Sequence, residues 1–321
     1  MSDVQMCAMR AGFAKGVLEL ARLSSKIMLL GCDVTRSLFL DSFRTELPKQ
    51  YISVGIAEQN AAGIAAGLAL CGKKPVFATY AAFATTRALD QIRMSICYNN
   101  AGVFIAGAHA GLSVGPDGGS HQALEDIAVM RTLLGMTVVL PRDANETEAA
   151  IYHYLGGKMR SPVYMRFGRN EVPNFTEPKT YFMPGAGILS QGDGRLTIVT
   201  HGALVWHCKE ALKKLAQHGV YPKLIQIRTL GDGLAENVLL DECDSPCVLV
   251  VDEHQQQGGV GSYVAEVLSR YPIPRSCPYV KCLGINDAFG QSGTPEELYQ
   301  HYGLSTDKIY EAAEELIAKV Q

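Results

Sequence analysis

The sequence predicts an α/β protein of two domains, each a mostly parallel sheet flanked by helices, and three observations lead there. Short apolar runs alternate with longer segments of helical period, the pattern of a parallel sheet covered on both faces. An aperiodic stretch at 167–187, rich in proline, glycine and polar residues, divides the chain. With 321 residues, 47% hydrophobic and 19% charged, there is enough material for two cores of ordinary size. In order, the first part offers strands at 27–30, 51–54, 75–78, 102–106, 137–140 and 163–165, with helices near 4–24, 57–71, 83–97, 121–133 and 145–155. The second offers strands at 196–199, 223–227 and 248–251 and helices near 203–217 and 258–269. The resulting division is a domain at 1–167, a linker at 168–187 and a smaller domain at 188–321. Functional groups in such sheets gather at the carboxyl ends of the strands.

Composition narrows the function. A net charge of −3 leaves no basic surplus to follow a nucleic-acid backbone. Nine cysteines without a repeated spacing fit a reducing compartment better than a disulfide framework, and Cys243 with Cys247 lacks the second pair a metal site needs. The segment Met1-Ser2-Asp3-Val4-Gln5-Met6 has neither the basic flank nor the apolar core of a signal peptide. The apolar run 101–114 is interrupted by His109 and glycines and is too short to span a bilayer. These features predict a cytoplasmic protein that binds neither membrane nor nucleic acid and has no metal ligands of its own.

Three constellations carry candidate chemistry. Glu58, in VGIAEQN, precedes a run of only Ala, Gly, Ile and Leu at 61–70, where burial without a cation raises a carboxyl pKa and suits general acid/base work. The alternative is a first-turn carboxylate favoured by the helix dipole. In that helix Gly63 and Gly67 leave room for another backbone, as in close helix packing or a subunit contact. Tyr80 and Phe83, followed by Arg87, stand just past a strand end and offer a face for a flat ring, unless they are core. Residues 108–122 place His109, Asp117 and His121 among glycines between a strand and a helix, as polar-substrate ligands or as ordinary loop histidines.

In this order VGIAEQNAAGIAAGLA, TYAAFATTRALDQIR and AHAGLSVGPDGGSHQALEDIAVMRTLLGMTVVLPRDANE resemble the pyrimidine-binding domain of transketolase and deoxyxylulose-phosphate synthase. The similarity continues through LTIVTHGALVWHCKEAL and VLVVDEHQQQGGVGSYVAEVL into the transketolase C-terminal domain and so covers nearly the whole chain. The resemblance implies thiamine diphosphate as cofactor. Glu58 would hydrogen-bond a ring nitrogen of its aminopyrimidine, promoting the imino tautomer that deprotonates the thiazolium carbon; Phe83 would stack on that ring and Tyr80 border it. His109 and His121 would contact the sugar hydroxyls and carbonyl as catalytic and substrate-binding groups, and Asp117 would read hydroxyl stereochemistry. Arg166 and Arg169 resemble phosphate-contacting arginines, with solvated surface arginines as the alternative.

The family's diphosphate site, a Gly-Asp-Gly followed some tens of residues later by asparagine, has no counterpart. Gly192-Asp193-Gly194 and Gly231-Asp232-Gly233 lie in the last domain without that asparagine and read as turns. Gly258-Gly259-Val260-Gly261 is similar to a dinucleotide loop, but Val264 stands where the third glycine belongs, so helix-start packing is the better account. The resemblance therefore implies the C-terminal subunit of a split transketolase. A separate N-terminal subunit would hold the diphosphate and a Mg2+ or Ca2+ ion, in a heterotetramer of two copies of each, acting on sugars or sugar phosphates. The last domain would be mainly structural and interfacial. Rivals are the beta subunit of a 2-oxoacid dehydrogenase decarboxylase, a deoxyxylulose-phosphate synthase-like enzyme, and a non-catalytic binding subunit. His109 and the 117–122 loop favour sugar transfer.

Overall fold

The computed structural model describes residues 4–157, 159–270 and 278–320; Met1, Ser2 and Asp3, which open the segment compared with a signal peptide, lie outside the described residues. In chain order the strands are β1 (Met6–Ala8), β2 (Ile27–Gly31), β3 (Tyr51–Ser53), β4 (Lys74–Tyr80), β5 (Phe104–Ala108), β6 (Thr137–Val139), β7 (Val163–Phe167), β8 (Glu171–Pro173), β9 (Ala186–Ser190), β10 (Thr197–Thr200), β11 (Lys223–Ile227), β12 (Thr229–Leu230), β13 (Cys247–Gln255) and β14 (Tyr279–Ile285). They form a seven-stranded sheet of order β12-β6-β7-β5-β4-β2-β3, a five-stranded sheet of order β14-β13-β10-β11-β9 and a two-stranded sheet of β1 and β8. Pairing within the first is parallel except at β12, and within the second except at β9. β5 and β7 are buried along their whole length, which is why they read as apolar runs, broken in β7 only by Arg166.

Helices cover both faces of the first sheet. In the helix Met9–Leu23, Met9, Phe13, Val17 and Ala21 recur every four residues and are buried in one cluster with the β2, β4 and β5 side chains. The helix Glu58–Leu70 buries Ala61, Ala62, Ala65 and Ala66 on the other side and leaves Gly63 and Gly67 facing outward, with open space where their Cβ atoms would be. Gly63 and Gly67 thus mark an uncovered face rather than close packing within the chain.

Several expected elements are altered by contacts that sequence period does not register. The helix expected at 83–97 breaks into Ala81–Thr86, Leu89–Gln91 and a π-type turn Ile92–Cys97; the hydroxyls of Thr85 and Thr86 donate back to the Ala81 and Ala82 carbonyls, a bond that bends helices. The helix expected at 121–133 starts only at Asp126, because Gly111 N donates to the Ala123 carbonyl and holds that strand-like stretch. The stretch 168–187 contains β8, which pairs antiparallel with β1 in a separate two-stranded sheet, so the chain returns to its own N-terminal strand before the second part begins. β12, from the second part of the chain, closes the edge of the first sheet against β6. Among the described residues no helix is long and apolar enough to cross a membrane, and no group of three His, Cys, Asp or Glu side chains is arranged to hold a metal ion.

Candidate functional site

β3 ends where Gly55 adopts a positive φ of 67°, and the chain then turns into the helix Glu58–Leu70, with Glu58 in its first turn. The Glu58 side chain is 3% exposed, yet it has a cation: Arg87 Nη1 donates to Oε1 at 3.3 Å. The expectation of burial without a cation is therefore corrected. Arg87 comes from the turn after the helix Ala81–Thr86, three-dimensionally adjacent though 29 residues away. Its guanidinium also lies 3.8 Å over the Phe83 ring centre.

From Phe83 a row of rings runs along the carboxyl edge of the sheet. Phe83 stacks on Tyr80 at 5.6 Å and Tyr80 on His109 at 4.2 Å, while His121 meets Phe83 and Tyr80 edge-on at 5.4 and 6.1 Å. The parallel register explains the row: Tyr80 sits opposite Ala108, so the next residue after β5, His109, falls beside the Tyr80 ring. An open cavity of about 330 Å3 lies against Phe83, Arg87, Ser120 and Phe289.

His109 is fully buried and is held at φ 57°, a left-handed conformation uncommon outside glycine and of the kind functional sites retain. Its Nε2 lies 3.2 Å from Ser37 Oγ, which also bonds the Tyr80 hydroxyl at 2.8 Å; its Nδ1 has no hydrogen-bond partner among the described residues. Burial, then the charges of Arg10 and Arg169 and the nearby His121, push its pKa down to about 3. In the folded chain His109 is thus a neutral imidazole that offers or accepts a hydrogen bond. Arg10 Nη1 donates to the Ser37 carbonyl at 2.8 Å, and its buried Nε lacks a partner among the described residues. Arg169 Nη1 donates to Asp117 Oδ2 at 3.0 Å and to the Val114 carbonyl at 3.2 Å. His121 pairs through Nδ1 with Ser120 Oγ at 2.9 Å.

Of the residues singled out in the sequence, Phe83, Tyr80, His109 and His121 come together in one row, Glu58 joins it through Arg87, and Asp117 is tied to Arg169. Arg166 is the exception and a correction. It is buried with its Nε on both oxygens of Asp126, at 3.1 and 2.9 Å, its Nη2 on the Glu253 carbonyl at 2.7 Å and its Nη1 3.9 Å from the Glu253 carboxylate, so its charge is matched by interior carboxylates rather than turned to a phosphate. Arg10 and Ser37 were not singled out by sequence; no local pattern marks them, and only the fold brings them to His109. The glycine-aspartate turns are likewise internal: Asp193 binds Arg195 and accepts from Tyr221 N, and Asp232 accepts from Leu234 N. At 258–261 the helix start is filled by the protein's own Asp252, whose Oδ2 accepts from Val260 N and Gly261 N.

Residues 5–174 match the family model of the transketolase pyrimidine binding domain, and residues 185–309 that of the transketolase C-terminal domain. The chain belongs to the transketolase family. Within that family it is 35% identical over 316 residues to one subunit of the apulose-4-phosphate transketolase of Phocaeicola vulgatus, covering 98% of this chain and 99% of that one. It is 31% identical over 301 residues to a 6-deoxy-6-sulfo-D-fructose transketolase subunit of Clostridium sp., covering 94% and 91%. Among solved structures, a split gene transketolase described as an inactive beta4 tetramer superposes with a TM-score of 0.86 at 36% identity, covering 98% and 99%.

Transketolases imply thiamine diphosphate, and the residues present fit its aminopyrimidine end. Glu58 is buried and accepts one long hydrogen bond from Arg87, whose guanidinium lies over the partly exposed Phe83 ring, and Phe83 and Tyr80 can sandwich or edge a flat heterocycle.

Proposed function

We propose that this chain is the C-terminal subunit of a split, thiamine diphosphate-dependent transketolase that transfers a two-carbon ketol unit from a ketose to an aldose. The observation that carries this is the buried Glu58 carboxylate opening onto the Phe83, Tyr80 and His109 row. Thiamine diphosphate, when bound, supplies the carbanion chemistry. Glu58 would hold and polarise the pyrimidine through a ring nitrogen, with Arg87 Nη1 donating to its buried carboxyl group. Phe83 and Tyr80 orient the ring. Neutral His109, with its unpartnered Nδ1, and His121 hydrogen-bond the sugar hydroxyls and carbonyl. Asp117 reads a hydroxyl further along, and Arg10 with Arg169 forms a cationic end suited to a phosphate or sulfonate. Two relatives are named for a phosphorylated sugar and a sulfo-sugar, in keeping with an anionic donor.

A partner N-terminal subunit holds the diphosphate and a Mg2+ or Ca2+ ion, and two copies of each subunit assemble in the cytoplasm. The outward face of the helix Glu58–Leu70 suits this contact: Ile56 and Leu70 are 72% and 64% exposed beside the open Gly63 and Gly67. The deciding experiment measures ketol transfer from a panel of ketose phosphates, with cofactor and magnesium, for this chain alone and mixed with the candidate N-terminal subunit. Transfer only in the mixture is expected. Transfer by the isolated chain, or by neither preparation, would overturn the assignment.

A further inference from the structure

We propose that Glu253, on β13 in the C-terminal domain, is a positioning residue for recognition of the far end of the sugar: its carboxylate anchors the loop that sets Asp117 and Arg169. This rests on the ketol-transfer function above. The Glu253 side chain reaches across the domain boundary and ends under residues 111–113, where Oε1 accepts from Leu112 N at 2.7 Å and from Ser113 N at 3.2 Å. Tyr299 OH donates to the same oxygen at 3.1 Å, and Arg166 Nη1 lies 3.9 Å from Oε2. Gly111 makes this possible. It has a φ of 72°, and a Cβ there would fall 2.4 Å from the Glu253 carboxyl carbon, so the carboxylate occupies the space a side chain would take.

From the anchor a chain of hydrogen bonds leads to the substrate side. Ser113 Oγ donates to the Ala110 carbonyl at 3.2 Å and accepts from Arg169 N at 3.1 Å. Arg169 in turn binds Val114 O and Asp117 Oδ2. The other end of the loop is backed by the same domain: Gln122 Nε2 donates to the Gln291 carbonyl at 3.0 Å, and Cβ atoms on Gly118 and Gly119 would lie 2.7 Å from Ser292 Oγ and 2.5 Å from the Gly290 carbonyl oxygen. Gly111, Gly118 and Gly119 thus leave the space in which the C-terminal domain approaches the loop. Burial raises the Glu253 carboxyl above its ordinary range, and Arg166, the loop amide of Leu112 and Tyr299 offset only part of that rise. Glu58, Phe83 and Tyr80, by contrast, are set by the first sheet, so the reacting end of the site and its far end are held by different domains.

The test uses the full chain with its partner subunit and thiamine diphosphate, and two variants, Glu253→Gln and the milder Tyr299→Phe, which removes a single hydroxyl and spares the buried ion pair. Amide hydrogen exchange across 109–122 is expected to accelerate in Glu253→Gln and less so in Tyr299→Phe, with β4 and β5 unchanged. With fructose 6-phosphate and xylulose 5-phosphate as probe donors, kcat/KM in Glu253→Gln falls on the order of 10²-fold, mainly through KM, as a small misplacement of a binding group produces. Hydroxypyruvate, a ketol donor without the sugar chain, keeps its rate. Unchanged loop exchange in both variants overturns the anchor. Equal losses for the sugar phosphates and hydroxypyruvate overturn the positioning role. A wild-type assembly that uses none of these donors overturns the ketol-transfer function itself, which the exchange measurement does not depend on.

Discussion

Replacing Arg166 and Arg169 separately by Met should have opposite consequences, although the two are only three positions apart and look alike in the sequence. Arg166 is 5% exposed and neutralises Asp126, which is fully buried, together with Glu253. Its removal strands two interior carboxylates. Asp126 retains the Tyr164 hydroxyl at 2.8 Å, a neutral donor that does not replace the lost cation, and a broken buried pair costs about 3–5 kcal/mol. For a chain of this length unfolding as one cooperative unit, as the β12 pairing across the two parts favours, Tm falls by about 4–8 °C. Arg169 and Asp117 are each about a third exposed, at 35% and 36%, so loss of that pair changes stability by about 0–1 kcal/mol. The cost in Arg169→Met falls instead on the donor: losing a charge-assisted bond of about 1.5–3 kcal/mol raises KM for a ketose phosphate roughly 10–150-fold. Calorimetry of the isolated chain and steady-state kinetics of the assembled enzyme give the two numbers. An Arg166→Met protein with wild-type Tm and a selectively raised KM for phosphorylated donors would return Arg166 to the substrate site and refute the burial argument.

Glu58→Gln keeps the side-chain shape but removes the charge; transfer should fall about 10²–10⁴-fold, while Tm stays near wild type because Arg87, 47% exposed, is resolvated. Retained turnover would remove Glu58 from the mechanism. His109 stays neutral in the folded chain to about pH 3, whereas an unfolded imidazole protonates below about pH 6.5, so the unfolded state binds the extra proton and stability falls as pH is lowered through this window. The contribution is about 1.4 kcal/mol per pH unit, hence a narrowing of roughly 2 kcal/mol in the gap between wild type and His109→Gln from pH 6.5 to 5 by urea unfolding. An NMR titration of His109 with a midpoint near 6.5 would contradict this. Gly67→Arg projects a charged side chain from the uncovered helix face into open space, so the isolated subunit should keep its Tm while co-elution with the N-terminal subunit is lost. Normal assembly would place the partner elsewhere.

The alternation of apolar runs and helical periods determined the two-sheet architecture, because strands buried on both faces and helices with one apolar face leave their periods in the sequence whatever their neighbours are. β2, β4, β5, β7, β10, β11 and β13 all overlap runs that mark them. The aromatic and histidine positions of the site were legible for the same reason: they follow strand ends, and strand ends share an edge. Short elements whose existence depends on a distant partner were not legible. β1 needs β8, β12 needs β6, and β9 and β14 are the edge strands of the second sheet, each only partly buried along most of its length. The same limit governed the site. Which of two arginines is buried, whether Glu58 has a cation, how far His109 is shielded from protonation, and that a C-terminal carboxylate sits beneath a loop more than a hundred residues earlier all depend on burial and long-range charge. Residue type and spacing fix which groups a protein brings to an edge; the dielectric around each group and the partner that meets it come into being only when the chain has closed on itself.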